Sequence, residues 1–168
     1  ELALSSKLVD MVKLYKIDVM HVHYAIPHAY AGYMAKQMLA EEGITIPMVT
    51  TLHGTDITLV GNHPFYKPAV TFSINNSDCV TSVSRSLKDD TLRLFDVKKN
   101  INVIPNFIDT KSFQNPYTDC QRDLMALPNE RIITHVSNLR PVKRIQDVIQ
   151  IFYQIQREMP AKLLIVRQ

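Results

Sequence analysis

The feature that most constrains this chain is a repeated alternation of short, β-branched apolar runs with longer stretches of helical period. Leu4, Leu8, Met11, Val12 and Tyr15 recur at helical spacing across 4–15, and IDVMHVH (17–23) follows as a strand-length run. A helical segment at 28–40, stopped by Gly43, leads into IPMVTTL (46–52), which ends at His53-Gly54. A further helix at about 66–76 precedes DCVTSVS (78–84). Ser84 then caps a helix running to about Phe95, with Asp89 expected in its first turn, and NVIP (102–105) closes the series. After a polar stretch at 109–121, RIITHVS (131–137) and KLLIV (162–166) flank a helix at 145–158. Repeated strand–helix–strand units need crossover connections, so they imply α/β architecture with parallel sheets.

The polar stretch divides the chain into a first domain at 1–110, a linker at 111–121 and a second domain at 122–168. The charge divides with it. Residues 1–110 carry 10 basic and 11 acidic groups, whereas 111–168 carry 9 and 5. The overall charge of +3 is too small to argue for a nucleic-acid partner. Neither a membrane-spanning apolar run nor a signal peptide is legible, and two isolated thiols, Cys79 and Cys120, suit a reducing compartment, so the expected location is the cytoplasm. The first helix lacks a preceding strand and the last three elements form a unit too small to cover itself. The expectation is therefore a chain cut at both ends.

Glycine limits the chemistry. Only four are present, Gly32, Gly43, Gly54 and Gly61, so neither a GxGxxG fingerprint nor a GxxxxGK[ST] phosphate loop can be written. An anion must be held in another way. Ligands of open parallel sheets gather where strands end, and five such junctions are rich in polar groups. They are His23-Tyr24, Thr50 to Asp56, Ser82 to Arg85, Pro105 to Asp109, and Ser137 to Arg144.

In the last of these, Arg140, Lys143 and Arg144 directly precede a helix. Cations at a helix N-terminus are unfavourable unless an anion arrives, so an anion site is favoured over a solvated basic turn. His53 has three open readings: a base, a ligand for a sugar hydroxyl, or a structural histidine capped by Asp56. Arg85 is either a surface charge beside a helix cap or a bidentate grip for a carboxylate. His21 and His23 share one strand face, but two histidines without a third ligand are weak evidence for metal.

The segments HVHYAIPHAYAGYMA (21–35), TTLHGTDITLVG (50–61), TSVSRSLKD (81–89), NVIPNFID (102–109) and HVSNLRPVKR (135–144) together resemble the family-4 retaining glycosyltransferases of the two-domain GT-B fold. Within that family the resemblance is to the malate-accepting branch of bacillithiol biosynthesis. It implies transfer of N-acetylglucosamine from UDP-GlcNAc to the hydroxyl of L-malate, the first step of that pathway, with retention and without a metal or other cofactor. His53 matches the catalytic-site histidine that lies against the transferred sugar. Tyr24, Thr51, Arg85 and Asn106 match positions around the acceptor, and Asn138, Arg140, Lys143 and Arg144 match the donor diphosphate region. Ser137-Asn138 replaces the family's usual Gly-Arg, which displaces the basic partner of Lys143 to Arg140 or Arg144. The resemblance assigns no nucleophile and is compatible with a homo-oligomer. It further implies a chain that is the middle of the enzyme, because the glycine-rich loop would lie upstream of Glu1 and the Glu-x7-Glu element downstream of Gln168. Three alternatives stand beside it: a sibling transferase with another acceptor, a non-catalytic fragment that binds a sugar nucleotide, and an isomerase of the same fold acting on UDP-GlcNAc.

Overall fold

A computed structural model describes residues 1–61, 63–112 and 121–167. Most of the expected linker, including Cys120, lies outside the described residues. The chain forms two compact units, Glu1–Ile108 and Asp109–Gln168.

The first unit runs α1 (Leu2–Tyr15), β1 (Met20–His23), α2 (Tyr30–Glu41), β2 (Met48–Leu52), α3 (Lys67–Asn75), β3 (Cys79–Ser82), α4 (Arg85–Leu94) and β4 (Ile101–Val103). Its strands form one parallel sheet in the order β1-β2-β3-β4. Period-2 alternation sends Met20 and Val22 to one face and His21 and His23 to the other. The first face carries the core. Val9 and Val12 of α1 and Ala35 and Leu39 of α2 pack there with Met20, Val22 and Met48. Val70 and Ile74 of α3 and Leu87 of α4 pack with Leu52, Val80 and Ile101. Burying each such large side chain stabilises the fold by about 1.5–3 kcal/mol, so this face anchors the sheet. The opposite face carries His21, His23, Thr51 and Thr81 beside Val49, Cys79 and Asn102.

Gly32 sets how closely α2 approaches the sheet, since a Cβ there would meet Met48 Sδ at 2.6 Å. Asp78 fastens the same layer by accepting from Met48 N–H at 2.6 Å and pairing with Lys36. Burial opposes ionisation of Asp78, but the Lys36 hydrogen bond, the Met48 N–H and the charges of Lys36 and Lys99 hold its carboxyl below the ordinary range. Helix α4 starts as expected on Ser84, whose Oγ accepts from Leu87 N–H at 3.1 Å. Asp89, however, falls beyond the first turn, because Arg85 is already the first helical residue.

Two short helical segments of wide pitch, Ala25–Ala29 and Thr55–Leu59, stand between strand and helix; the first takes up residues 28 and 29 of the helix expected at 28–40, so α2 itself begins at Tyr30. They follow β1 and β2 directly and shape the ends of those strands.

The second unit contains α5 (Arg122–Met125), β5 (Arg131–Ser137), a single tight turn at Pro141–Lys143, α6 (Ile145–Glu158) and β6 (Ala161–Arg167). β5 and β6 pair in parallel from Arg131↔Ala161 to Ser137↔Arg167. No residue of α6 is buried within this unit. Ile149 and Val166 remain 48% and 39% exposed, so the unit rests more on its backbone ladder than on a closed core. The expected strand and helix bounds in this unit hold almost to the residue, apart from α5, a four-residue helix with no apolar period to announce it.

Candidate active site

The C-terminal ends of β1 and β2 meet through one buried carboxylate. Asp56, 3% exposed, accepts from Ala25 N–H at 2.9 Å through Oδ2 and from His53 and Gly54 N–H at 3.2 and 2.9 Å through Oδ1. It thereby ties the segment after β1 to the turn after β2. Asp56 accepts from the backbone N–H of His53, so its cap falls on the main chain and fixes the turn that carries the ring. The turn needs glycine twice. Gly54 has φ +119°, and a Cβ on Gly61 would sit 1.8 Å from Asp56 O.

On this scaffold sits a cleft of about 330 Å³ lined by His21, His23, Thr51, His53, Thr81 and Asn106, among others. His23 Nδ1 and His53 Nε2 share a hydrogen bond of 2.8 Å. His21 Nε2 lies 2.8 Å from Thr51 Oγ1, which is 2.7 Å from Thr81 Oγ1. This polar row crosses β1, β2 and β3, and it exists because odd-numbered positions of β1 face the same side as Thr51 and Thr81. His28 Nδ1 donates to the His23 carbonyl at 2.6 Å, which orients that ring in turn.

Tyr24 holds φ +76°, a rare conformation for a side chain of its size, and its ring lies 4.9 Å from that of His53. It also lines an adjoining cavity of about 550 Å³ with Tyr30, Tyr66 and Asp56. His53 is therefore flanked by His23, at 5.0 Å between ring centres, and Tyr24. Partial burial lowers the pKa of His53 below its ordinary value, and the neighbouring His23 and His21 add to this against the opposing charge of Asp56. The shift favours the uncharged imidazole, which can accept or donate a hydrogen bond.

Of the residues singled out by sequence, His53, Thr51 and Asn106 line one cleft and Tyr24 touches its histidine. Two valences of the Thr51 hydroxyl are already taken by His21 and Thr81, leaving one for a ligand. Arg85 is exposed at the start of α4 and lines neither cavity of this unit described above.

In the second unit, Arg140 and Arg144 line a separate hollow of about 410 Å³. Asn138 and Lys143 are exposed beside it without lining it. Arg144, at φ +49°, immediately precedes α6 and pairs with Asp147 in the first turn of that helix. Its charge already has a counter-ion, whereas Arg140 and Lys143 have none among the described residues. No side chain caps the α6 N-terminus.

Sequence reasoning missed the structural role of Asp56, the contribution of Thr81 and that of His28. The His-Gly-Thr-Asp spelling did hold a signal for the first, since Asp readily accepts from backbone N–H groups of its own turn. Nothing in one sequence marks His28.

The first part of the chain, residues 1–112, matches the model of the family described as Glycosyltransferase Family 4. Over 167 residues the chain is 45% identical to N-acetyl-alpha-D-glucosaminyl L-malate synthase of Bacillus anthracis, covering 99% of this chain and 43% of that protein. It is 33% identical over 73 residues to an uncharacterized glycosyltransferase of Methanocaldococcus jannaschii, covering 44% of this chain and 19% of that protein. The chain thus spans less than half the length of these curated relatives. With two parallel α/β units, a histidine cleft at strand ends and a family match across the first 112 residues, the chain belongs to Glycosyltransferase Family 4.

Proposed function

We propose that this chain is part of a retaining glycosyltransferase that moves N-acetylglucosamine from UDP-GlcNAc to the hydroxyl of L-malate, opening bacillithiol synthesis. The observation that carries the reading is the joining of His53, Thr51 and Asn106 in one cleft of a chain 45% identical to the malate synthase of Bacillus anthracis. Tyr24, Thr51 and Asn106 would surround the acceptor, with His53 against the transferred sugar.

On the donor side the bond to be broken leaves negative charge on UDP. Lys143 and Arg140, with the uncapped N-terminus of α6, offer positive potential to that charge as it develops, which is where stabilisation lowers the barrier. Asn138 and Arg144 stand at the same junction as further donor contacts. The reading uses no metal and assigns no protein nucleophile. The acceptor hydroxyl attacks from the face that the diphosphate leaves, which retains configuration.

A cytoplasmic setting belongs to the same reading. Among the described residues, no helix is long and apolar enough to cross a membrane.

The test is release of UDP by the full-length protein supplied with UDP-GlcNAc and L-malate. No release under those conditions sinks the proposal. The exposed placement of Arg85 favours a second reading, in which the acceptor is neutral and the donor unchanged. Arg85→Ala separates the two. A malate carboxylate gripped by Arg85 would lose about 1.5–3 kcal/mol, a rise of ten-fold or more in acceptor KM. A neutral acceptor would leave KM unmoved.

A further inference from the structure

We propose that His23 is a positioning residue for His53, its Nδ1···Nε2 hydrogen bond fixing both the orientation and the tautomer of the imidazole that faces the sugar. The proposal rests on the reading above for the role of His53, but the pair itself rests on geometry. At 2.8 Å the two facing nitrogens share a single proton: one must donate and the other must present a lone pair. Whichever way the bond runs, it dictates whether the remaining nitrogen of His53 is a donor or an acceptor toward the cleft. The rings lie 5.0 Å apart and tilted by 42°, and Tyr24 closes the other side of His53 at 4.9 Å.

His23 is itself fixed. It sits at the end of β1, in register with Thr51 of β2, and its carbonyl accepts from His28 Nδ1 at 2.6 Å. The backbone of His53 is fixed separately, by Asp56. The main chains of the two histidines are thus held by different groups, and the 2.8 Å bond couples their rings.

The pair also limits proton uptake. Two imidazolium rings would turn two N–H groups toward each other, so the bond survives one added proton and breaks on a second. The groups that face His53 are His21 and His23 from β1, Tyr24 and His28 from the segment after it, and Asp56 from its own turn. The stretch after β4 that lines the cleft, 104–107, brings no titratable side chain. His23 and His21 both disfavour protonation of His53, while Asp56 favours it. Removing His23 therefore lets His53 protonate at a higher pH.

The experiment compares wild-type full-length protein with His23→Asn and His23→Ala. Asparagine keeps a polar atom near the position of Nδ1 but cannot titrate. Two readouts are taken: the pH dependence of UDP release, and the titration of His53 by NMR of ¹⁵N-histidine-labelled protein. His23→Ala should lower kcat by about 10- to 100-fold with little change in donor KM, as expected when a reacting group is left misplaced. His23→Asn should recover most of that loss, and in it the acid limb of activity and the His53 titration should both move to higher pH. The inference is overturned if His53 titrates at the same pH in His23→Asn and wild type, or if His23→Ala leaves kcat intact. Should His23→Ala fail to fold, the His23→Asn titration decides alone. A shifted titration in a protein that releases no UDP would uphold the pair and defeat the glycosyltransferase reading instead.

Discussion

The two polar junctions of this chain solve the same problem with opposite means. Both stand where a parallel strand ends, one after β2 and one after β5. The first is anchored by buried polar groups, the carboxylate of Asp56 and the hydroxyls of Thr51 and Thr81, with a hydrogen-bonded histidine pair at the cleft where His23 is exposed and His53 half-buried. The second is built by charge: exposed cations around a helix end that, among the described residues, no side chain caps, with Arg144 alone of them paired there. A buried polar network fixes geometry before any ligand arrives, because each unmade bond there is costly. An exposed cationic loop fixes little, and gains its order when an anion binds. On the proposed reading, the first would orient a sugar and an acceptor and the second would meet a leaving diphosphate.

The largest test of this contrast is Asp56→Ala. It strands the N–H groups of Ala25, His53 and Gly54, and we expect a loss of about 3–5 kcal/mol, read as a lowered thermal midpoint of the full-length protein together with lost activity. An unchanged midpoint would break the claim that burial organises the first junction. Lys143→Ala comes next and should act in the opposite way. Its expected cost is about 2.7–4 kcal/mol of transition-state stabilisation, measured as a 10²- to 10³-fold fall in kcat, with thermal stability untouched.

Gly32→Ala probes the layer beneath the histidines. Forcing a methyl group against Met48 should cost about 1–3 kcal/mol in stability while leaving donor KM where it was. The exposed Arg144–Asp147 pair is a smaller matter. Asp147→Asn should change stability by less than about 1 kcal/mol, and should tighten donor binding about two- to three-fold by releasing Arg144 for the anion. Weaker donor binding would mean that Asp147 orients Arg144 rather than competing for it.

The smallest effect is in pH. His53 has a folded pKa below its unfolded value of 6.5, so the unfolded chain binds more protons between the two values. Its contribution to stability is complete above about pH 6.5 and is lost as pH falls through the lowered folded pKa. His53→Gln should flatten that part of the stability–pH curve, while the loss at lower pH from Asp78 and Asp109, whose carboxyls titrate below 3.8 in the folded state, remains.

The order of strands and helices was legible because periods of 2 and 3.6 survive in any single sequence, and the bounds of β5 and α6 fall where the apolar pattern puts them. His53, Thr51 and Asn106 fall in junctions legible as strand ends, where ligands of such sheets collect, but what grouped Thr51 and Asn106, with Tyr24 and Arg85, around an acceptor was the resemblance to the family. The two wide-pitch segments were not legible, since Ala25–Ala29 and Thr55–Leu59 carry no period of their own and take their form from the bonds made by Asp56.

By itself, then, the sequence determined that the sheets are parallel, that no glycine-rich loop of standard spelling can hold phosphate, and which strand ends are rich in polar groups. These follow from local pattern and residue type. Only the tertiary structure decided that His23 meets His53, that Asp56 serves the backbone rather than the ring, and that Arg85 stands apart from the cleft. Those outcomes depend on register between strands roughly 30 residues apart in the chain, where a slip of one position would turn every side chain to the other face.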